Sequence, residues 1–159
     1  MRREYGWARR GQRLIASRPF GRWQTLSLIG SIRLGERPRL MTHHGPVNGR
    51  VFLRFVRRRL VPSLRRGDIV VMDNLNIHRM RAVREAIWSA GAVPLHLPTY
   101  SPELNPIELL WADLKRRLRT LALNKRDELA PAIQRLRAST ALQNIAGWFR
   151  FSLARAHLK

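Results

Sequence analysis

The sequence of 159 residues contains no cysteine, which excludes disulfides and metal sites built on thiolates. It contains no run approaching the roughly 20 apolar residues that a membrane-spanning helix needs. The basic N-terminal residues lead into no apolar stretch of the kind found in secretory signals. We therefore expect a cytoplasmic protein, associated with the nucleoid and not with a membrane.

Acidic residues are also scarce, since 10 acidic residues face 31 basic ones and the net charge is +21. All but three of the basic residues are arginine, which suits bidentate contacts to phosphate, although a GC-rich genome gives the same bias. Such a charge favours a polyanionic partner, most simply nucleic acid. The imbalance is concentrated in residues 1–67, so we expect the main phosphate-contacting surface there; the alternative is a basic surface with no partner.

The first half of the chain predicts an arm, a hairpin and a helix. Residues 1–22 are arginine-rich with little apolar periodicity, which indicates a basic irregular arm. Partial alternation predicts a strand over Trp23–Ile32 that pairs with Pro38–His43 across the turn at residues 34–37. Asn48–Leu60 carries one apolar face within a basic rim, the pattern of an amphipathic helix.

The second half predicts a strand, a helix and a second strand. Ile69–Met72 and Ala92–Leu97 have the length and composition of buried strands. Between them, residues 79–90 place apolar side chains at helical spacing, and Gly91 follows as a stop. This order is the unit of a parallel sheet, so the fold class is α/β. A proline-rich loop then leads to another helix at residue 105.

Two carboxylates stand at the ends of these elements. Asp73 follows the first strand and Glu108 lies in the first turn of the helix that Asn105 opens. Such a pair could hold a divalent metal. Each also has a structural reading, because Asp-Asn is common in turns and an Asn with a Glu three residues later resembles a capping box. The residues alone leave both readings open.

The strings Asp73-Asn74 with His78, then Tyr100-Ser101-Pro102, then residues 104–108 (LNPIE), resemble the catalytic core of bacterial insertion-sequence transposases related to mariner. Those enzymes use a DDE triad on a ribonuclease H-like fold. The resemblance implies a mixed sheet flanked by helices, with Asp73 and Glu108 as two of three ligands to a pair of Mg²⁺ or Mn²⁺ ions. It implies near-site roles for Asn74, His78 and Asn105. It also implies that the partner is double-stranded DNA, both the terminal inverted repeats of the element and the target.

The sequence departs from that family at its start. The family's first catalytic aspartate and its helix-turn-helix region precede a segment resembling residues 5–13. We therefore expect residues 1–159 to be a single, partial catalytic domain that lacks the first central strand and ends in helices over residues 121–159. Such a chain would be poorly stable and inactive alone, and an upstream reading-frame product or fusion would supply the missing aspartate. Transposases commonly act as dimers, so a homodimer is a further expectation.

Two other functions remain open from the sequence. In the first, the chain is a non-catalytic DNA-binding remnant or a regulator of transposition. In the second, it is a different ribonuclease H-like nuclease, such as a resolvase. In every case basic side chains on the predicted helices are the candidate contacts to nucleic acid. They are Arg54, Arg57, Arg58, Arg79, Lys115, Arg116 and Arg119.

Overall fold

The computed structural model describes residues 10–11, 25–121, 123 and 126–156. The predicted arm at residues 1–22 lies outside the described residues, apart from residues 10 and 11. The strands are β1 (Leu26–Arg33), β2 (Glu36–His44), β3 (Ile69–Met72) and β4 (Val93–His96). The helices are α1 (Gly49–Phe55), α2 (Arg81–Ser89), α3 (Ile107–Thr120), α4 (Leu129–Ala138) and α5 (Leu142–Ala156).

β1 and β2 form the predicted hairpin. They pair antiparallel, with Ile29 opposite Met41 and Gly30 opposite Leu40. Gly35 closes the turn with a φ of 75°, a conformation that glycine adopts without steric cost.

The hairpin lies between two helical layers, because successive side chains of a strand point to opposite faces. Ile29 packs with α1 and α2, whereas Leu40 packs with α3 and α4. One core therefore forms on each side of the hairpin.

α1 begins at Asn48, whose side-chain Oδ1 accepts a hydrogen bond from the Val51 backbone N–H at 3.0 Å. The predicted apolar face is confirmed, since its members are all buried against the hairpin and α2. The helix continues as a π-helical segment, Val56–Leu60, and a 3₁₀ turn, Val61–Ser63. The five buried residues of that face are Val51, Phe52, Phe55, Val56 and Leu60.

β3, α2 and β4 form the predicted strand–helix–strand unit. The two strands pair in parallel, with Met72 opposite His96. The prediction that Ile69–Met72 is a fully buried strand is wrong, because Ile69 is 64% and Val71 is 42% exposed. A short apolar run carries no information about which of its two faces will be covered. Here one face of the β3–β4 pair is open to solvent.

The described strands form two two-stranded sheets, β1–β2 and β3–β4, rather than one continuous mixed sheet. A bidentate ion pair links the sheets at one end, where the Arg33 guanidinium donates to both oxygens of Asp68 at 2.5 and 2.6 Å. Arg33 also donates to the backbone carbonyl of Ser63. The protein therefore has the expected mixed α/β fold, but β1 and β3 do not pair and the strands form two sheets instead of one.

The C-terminal part of the chain forms two helices, as predicted. Ile133 and Leu136 of α4 pack against Leu110 and Leu114 of α3 and against Leu40 of the hairpin. α4 and α3 thus close the second core. No helix within the described ranges is both long enough and apolar enough to cross a membrane.

Candidate active site

Asp73 is placed at the carboxyl end of β3, where ligands bind in open α/β sheets. Its Oδ1 accepts a hydrogen bond from the Leu75 backbone N–H at 3.3 Å and contacts Nδ1 of His78. The turn role that the sequence left open is therefore present. It does not occupy the whole carboxylate, because the Asp73 side chain remains 44% exposed.

His78 and Asn74 are both held beside Asp73. The imidazole of His78 lies against the Phe52 ring of α1, with ring centroids 4.4 Å apart. The Asn74 side chain donates to Thr99 Oγ1 at 3.4 Å, which ties the loop after β3 to the loop after β4. Both residues therefore lie next to Asp73, and their near-site role stays a prediction.

Glu108 lies in the first turn of α3 and is exposed to solvent. Asn105 lies just before the N-cap residue of this helix, Pro106, and its Oδ1 accepts a hydrogen bond from the Ile107 backbone N–H at 3.4 Å. The reciprocal bond of a capping box is not formed, because the Asn105 N–H donates to the carbonyl of Pro102. Within the described part of the chain, the Glu108 carboxylate is thus free of the capping role.

The loop before α3 has an unusual backbone at Tyr100. Its φ of 58° lies in the left-handed region, which costs a residue with a Cβ about 1–2 kcal/mol. The Tyr100 side chain is 96% exposed and has no packing to offset that cost. Backbone strain of this kind clusters at functional sites, and Tyr100 belongs to the motif that carries the resemblance.

Asp73 and Glu108 line the same cavity, of about 720 Å³. Every residue from 28 to 33 of β1 and from 69 to 72 of β3 lines it. Because alternate side chains of a strand point to opposite faces, an unbroken run of lining residues means that the backbone edge of each strand borders the space. Asn105 and His78 also line it. The cavity therefore separates the two sheets and brings together four of the predicted site residues.

Gly30 positions the helix that carries Glu108. A methyl group on Gly30 would lie 2.6 Å from Leu40 Cδ2, 2.8 Å from Trp111 Cη2 and 3.0 Å from the Arg39 carbonyl oxygen. Trp111 is three residues after Glu108, so the two side chains share a side of α3. The absence of a side chain at Gly30 lets the indole lie against β1 and thereby sets where Glu108 stands.

His96 was missed in the sequence analysis. It ends β4 opposite Met72, and its Nδ1 lies 3.4 Å from the carbonyl oxygen of Asp73. Its Nε2 is buried and has no partner among the described residues. The signal that could have found it is its position, because parallel strands end at one edge of a sheet and Asp73 stands at that edge.

The donor set fits a hard divalent cation in part. Carboxylate oxygens are the ligands that Mg²⁺ prefers, and both candidate carboxylates are accessible from the cavity. Within the described ranges no group of three or more His, Asp or Glu side chains is close enough to hold an ion. Asp73 and Glu108 are thus two accessible carboxylates of the kind that such an ion binds.

All seven of the predicted nucleic-acid contacts are exposed. Arg57 and Arg58 lie in the π-helical segment, after Arg54 of α1, and Arg79 precedes α2. Lys115, Arg116 and Arg119 are exposed on α3, and Arg116 donates to Asp113 at 2.5 Å. Asp113 also pairs with Arg117, which gives that aspartate a structural role. Arg54, Arg57 and Arg58 stand on one continuous helix, whereas Lys115, Arg116 and Arg119 stand on α3.

The sequence model of the DDE superfamily endonucleases matches residues 1–130. The chain belongs to the DDE superfamily endonuclease family. No curated protein sequence matches it significantly.

Three solved structures of the mariner transposase Mos1 share the fold. The Mos1 strand transfer complex matches with a TM-score of 0.71 at 19% identity, and the Mos1 paired end complex with Mn with a TM-score of 0.66 at 19% identity. A pre-cleavage Mos1 transpososome matches with a TM-score of 0.64 at 18% identity. Each match covers 94% of this chain but only 45 to 48% of the Mos1 chain. The DDE domain described here thus spans about half the length of those proteins.

Proposed function

We propose that this DDE domain cuts DNA at the ends of a mobile element and joins them to a target, with Asp73 and Glu108 as two of its metal ligands. The observation that carries the proposal is that both carboxylates line one cavity, although 34 residues separate them in the sequence. Divalent ions bound there would activate the attacking oxygen and stabilise the leaving one. The family membership and the likeness to Mos1 complexes, one of them with Mn, support this assignment.

The protein's own groups have distinct tasks in this scheme. Asp73 offers its carboxylate from the end of a paired strand, so its position is set by the sheet. His78 fixes the orientation of Asp73 through their contact, while Phe52 holds the imidazole in place. Asn105 fixes the start of α3 and therefore the direction of Glu108. Such outer groups orient a ligand without touching the ion.

The third carboxylate is proposed to enter on an extended segment between β1 and β3. In the described residues the facing edges of these strands have no strand partner, and both edges border the cavity. A strand placed there would pair with both and join the two sheets into one. An upstream reading-frame product or a fusion would supply that segment, as the resemblance implied.

The test compares the 159-residue chain with a form extended by its upstream reading frame, on duplexes that carry the element ends. We expect Mg²⁺-dependent nicking by the extended form, and its loss in Asp73→Asn and Glu108→Gln. Glu85→Gln on α2 is the matched control, because it also removes one carboxylate but lies away from the cavity. Full nicking by either site variant would refute the ligand assignment.

Binding of the duplex without nicking by the extended form would support the alternative of a non-catalytic regulator. Cleavage of branched DNA but not of element ends would instead support a resolvase-like nuclease. The exposed cations on α1, the π-helical segment and α3, together with Arg79 before α2, are the proposed phosphate contacts in all three cases, and a homodimer is proposed for the transposase alone.

A further inference from the structure

A second cleft lies near the turn end of the hairpin and borders the larger cavity, since Arg39 lines both. It has a volume of about 490 Å³, and we call it the arginine cleft. Its lining residues come from β2, the π-helical segment and α4. They are Glu36, Arg37, Arg39, Arg58, Arg59 and Arg137.

The local structure explains why these arginines converge. Val56 and Leu60 are both buried at the two ends of the π-helical segment, so the three arginines between them point away from the core. On β2, Pro38 and Leu40 are buried, and Arg37 and Arg39 take the opposite face because strand side chains alternate. The two elements thus present cations to one space.

Most of this charge is not neutralised within the described residues. Glu36 is the cleft's one carboxylate, and it accepts from Arg39 at 2.7 Å while Arg33 and Arg65 approach it at 3.5 Å. The hydrogen bond from Arg39 lowers the pKa of Glu36, which keeps that carboxylate charged. Ion pairs are absent at Arg37, Arg58 and Arg59 throughout the described ranges.

Arg137 adds a guanidinium that is only partly satisfied. Its Nη1 donates to the Pro38 carbonyl at 3.3 Å, whereas its Nε is buried and has no acceptor among the described residues. The three unpaired cations of the cleft repel one another, and an anion bound between them would relieve that repulsion.

The cleft is separated from the candidate metal ligands by the length of β3. Arg33 connects Glu36 with Asp68, which precedes β3, while Asp73 follows it. Five residue steps at 3.3 Å correspond to about 16 Å, or about five phosphates along one strand of B-DNA. The arginine cleft therefore stands away from the two carboxylates, although it shares Arg39 with the cavity that they line.

We propose that the arginine cleft binds the phosphodiester backbone of DNA, away from the reacting phosphate. The guanidinium fork matches a phosphate in a bidentate manner, and cations on three elements suit a chain of phosphates better than one small anion. The proposal rests on the proposed function in taking DNA as the polyanion. It does not require a metal ion or an intact active site.

The experiment measures binding of a fluorescent duplex by anisotropy in EDTA, across a range of salt concentrations. We expect R37Q/R58Q/R59Q to lower the slope of log affinity against log salt by about 2 to 3, because each phosphate contact contributes about 0.9. The matched control, R84Q/R150Q/R155Q, removes the same charge from α2 and α5 and should keep nearly the native slope. Equal losses in both variants would reduce the effect to bulk charge and overturn the proposal.

A second measurement needs no substitution and so does not depend on whether a variant folds. DNA should protect Arg37, Arg58 and Arg59 of the native chain from an arginine-modifying dicarbonyl reagent, with the sites identified by mass spectrometry. Modification unchanged by DNA would overturn the proposal, as would equal protection by poly-glutamate, which would indicate an acidic protein partner.

The two proposals fail separately. Normal nicking by the extended form together with native slopes in the cleft variant would reject the arginine cleft alone. A reduced slope of log affinity against log salt in the cleft variant, together with no nicking under any condition, would reject the catalytic assignment alone. An Asp73→Asn/Glu108→Gln double variant should retain the native salt slope in EDTA.

Discussion

Substitution of Gly30 by alanine is expected to destabilise the protein and to displace Glu108. The added methyl group would meet Trp111 and Leu40 at 2.8 Å or less, and the Arg39 carbonyl oxygen at 3.0 Å. Overpacking of this kind costs about 1–3 kcal/mol, and alanine recovers up to about 1 kcal/mol of that through its lower chain entropy in a strand. We therefore expect a net loss of about 1 to 2 kcal/mol in the free energy of unfolding.

Gly147→Ala is the matched control for this change. Gly147 lies within α5, and a methyl group there would meet nothing within 4 Å. Alanine is favoured over glycine in a helix by up to about 1 kcal/mol, so this variant should be more stable than the native chain. The assay is urea unfolding followed by tryptophan fluorescence, with thermal unfolding as a check at about 2–4 °C per kcal/mol.

The two glycine variants should therefore shift stability in opposite directions. Gly30→Ala should also weaken Mn²⁺ binding, because the indole of Trp111 cannot move without moving the first turn of α3. A Gly30→Ala variant as stable as Gly147→Ala, with unchanged Mn²⁺ affinity, would refute the argument that this close approach positions α3.

Three further predictions concern the frame around the site. The Arg33 guanidinium, and after it the Arg65 backbone N–H, lowers the pKa of Asp68. The difference in unfolding free energy between the native protein and Asp68→Asn should therefore be constant above about pH 4, and it should disappear at lower pH as the native carboxyl group becomes protonated. Urea unfolding at a series of pH values measures this difference. Tyr100→Gly should be about 1 kcal/mol more stable than Tyr100→Ala, since only glycine relieves the positive φ; equal stabilities would contradict this. Asn48→Ala should cost about 1 kcal/mol, and Asn48→Asp much less, because the cap needs a side-chain oxygen.

The local elements could be predicted from the sequence because their signals are local. The hairpin follows from alternation around a turn with Gly35, and α1 follows from five apolar residues at helical spacing. The end of α2 follows from Gly91. Each of these signals acts within a few residues, so no knowledge of the rest of the fold was needed.

The arrangement of those elements could not be predicted in the same way. Ile69 and Val71 looked buried because they are apolar, but burial depends on what packs against a strand and not on the strand itself. His96 gave no local signal, since only the parallel pairing of β3 with β4 brings it beside Asp73. The arginine cleft was predicted only in part, since residues 1–67 were expected to hold the phosphate-contacting surface with Arg58 among its contacts. The sequence did not place Arg137 of α4 beside Arg37 and Arg58.

The pairing of Asp73 with Glu108 came from the family resemblance and not from their spacing. Each carboxylate had an adequate local explanation, as a turn or a cap. The structure removes part of that ambiguity, since the Asn105 N–H is bonded to Pro102 rather than to Glu108. The turn at Asp73 is present and coexists with an exposed carboxylate.

The most direct test of the central assignment is the position of Mn²⁺ determined by anomalous scattering from crystals of the protein with duplex DNA. The account predicts a peak within ligand distance, about 2.1 Å, of carboxylate oxygens from both Asp73 and Glu108. A peak that touches neither carboxylate, or an ion held by Asp73 with Glu108 turned away from the cavity, would contradict it.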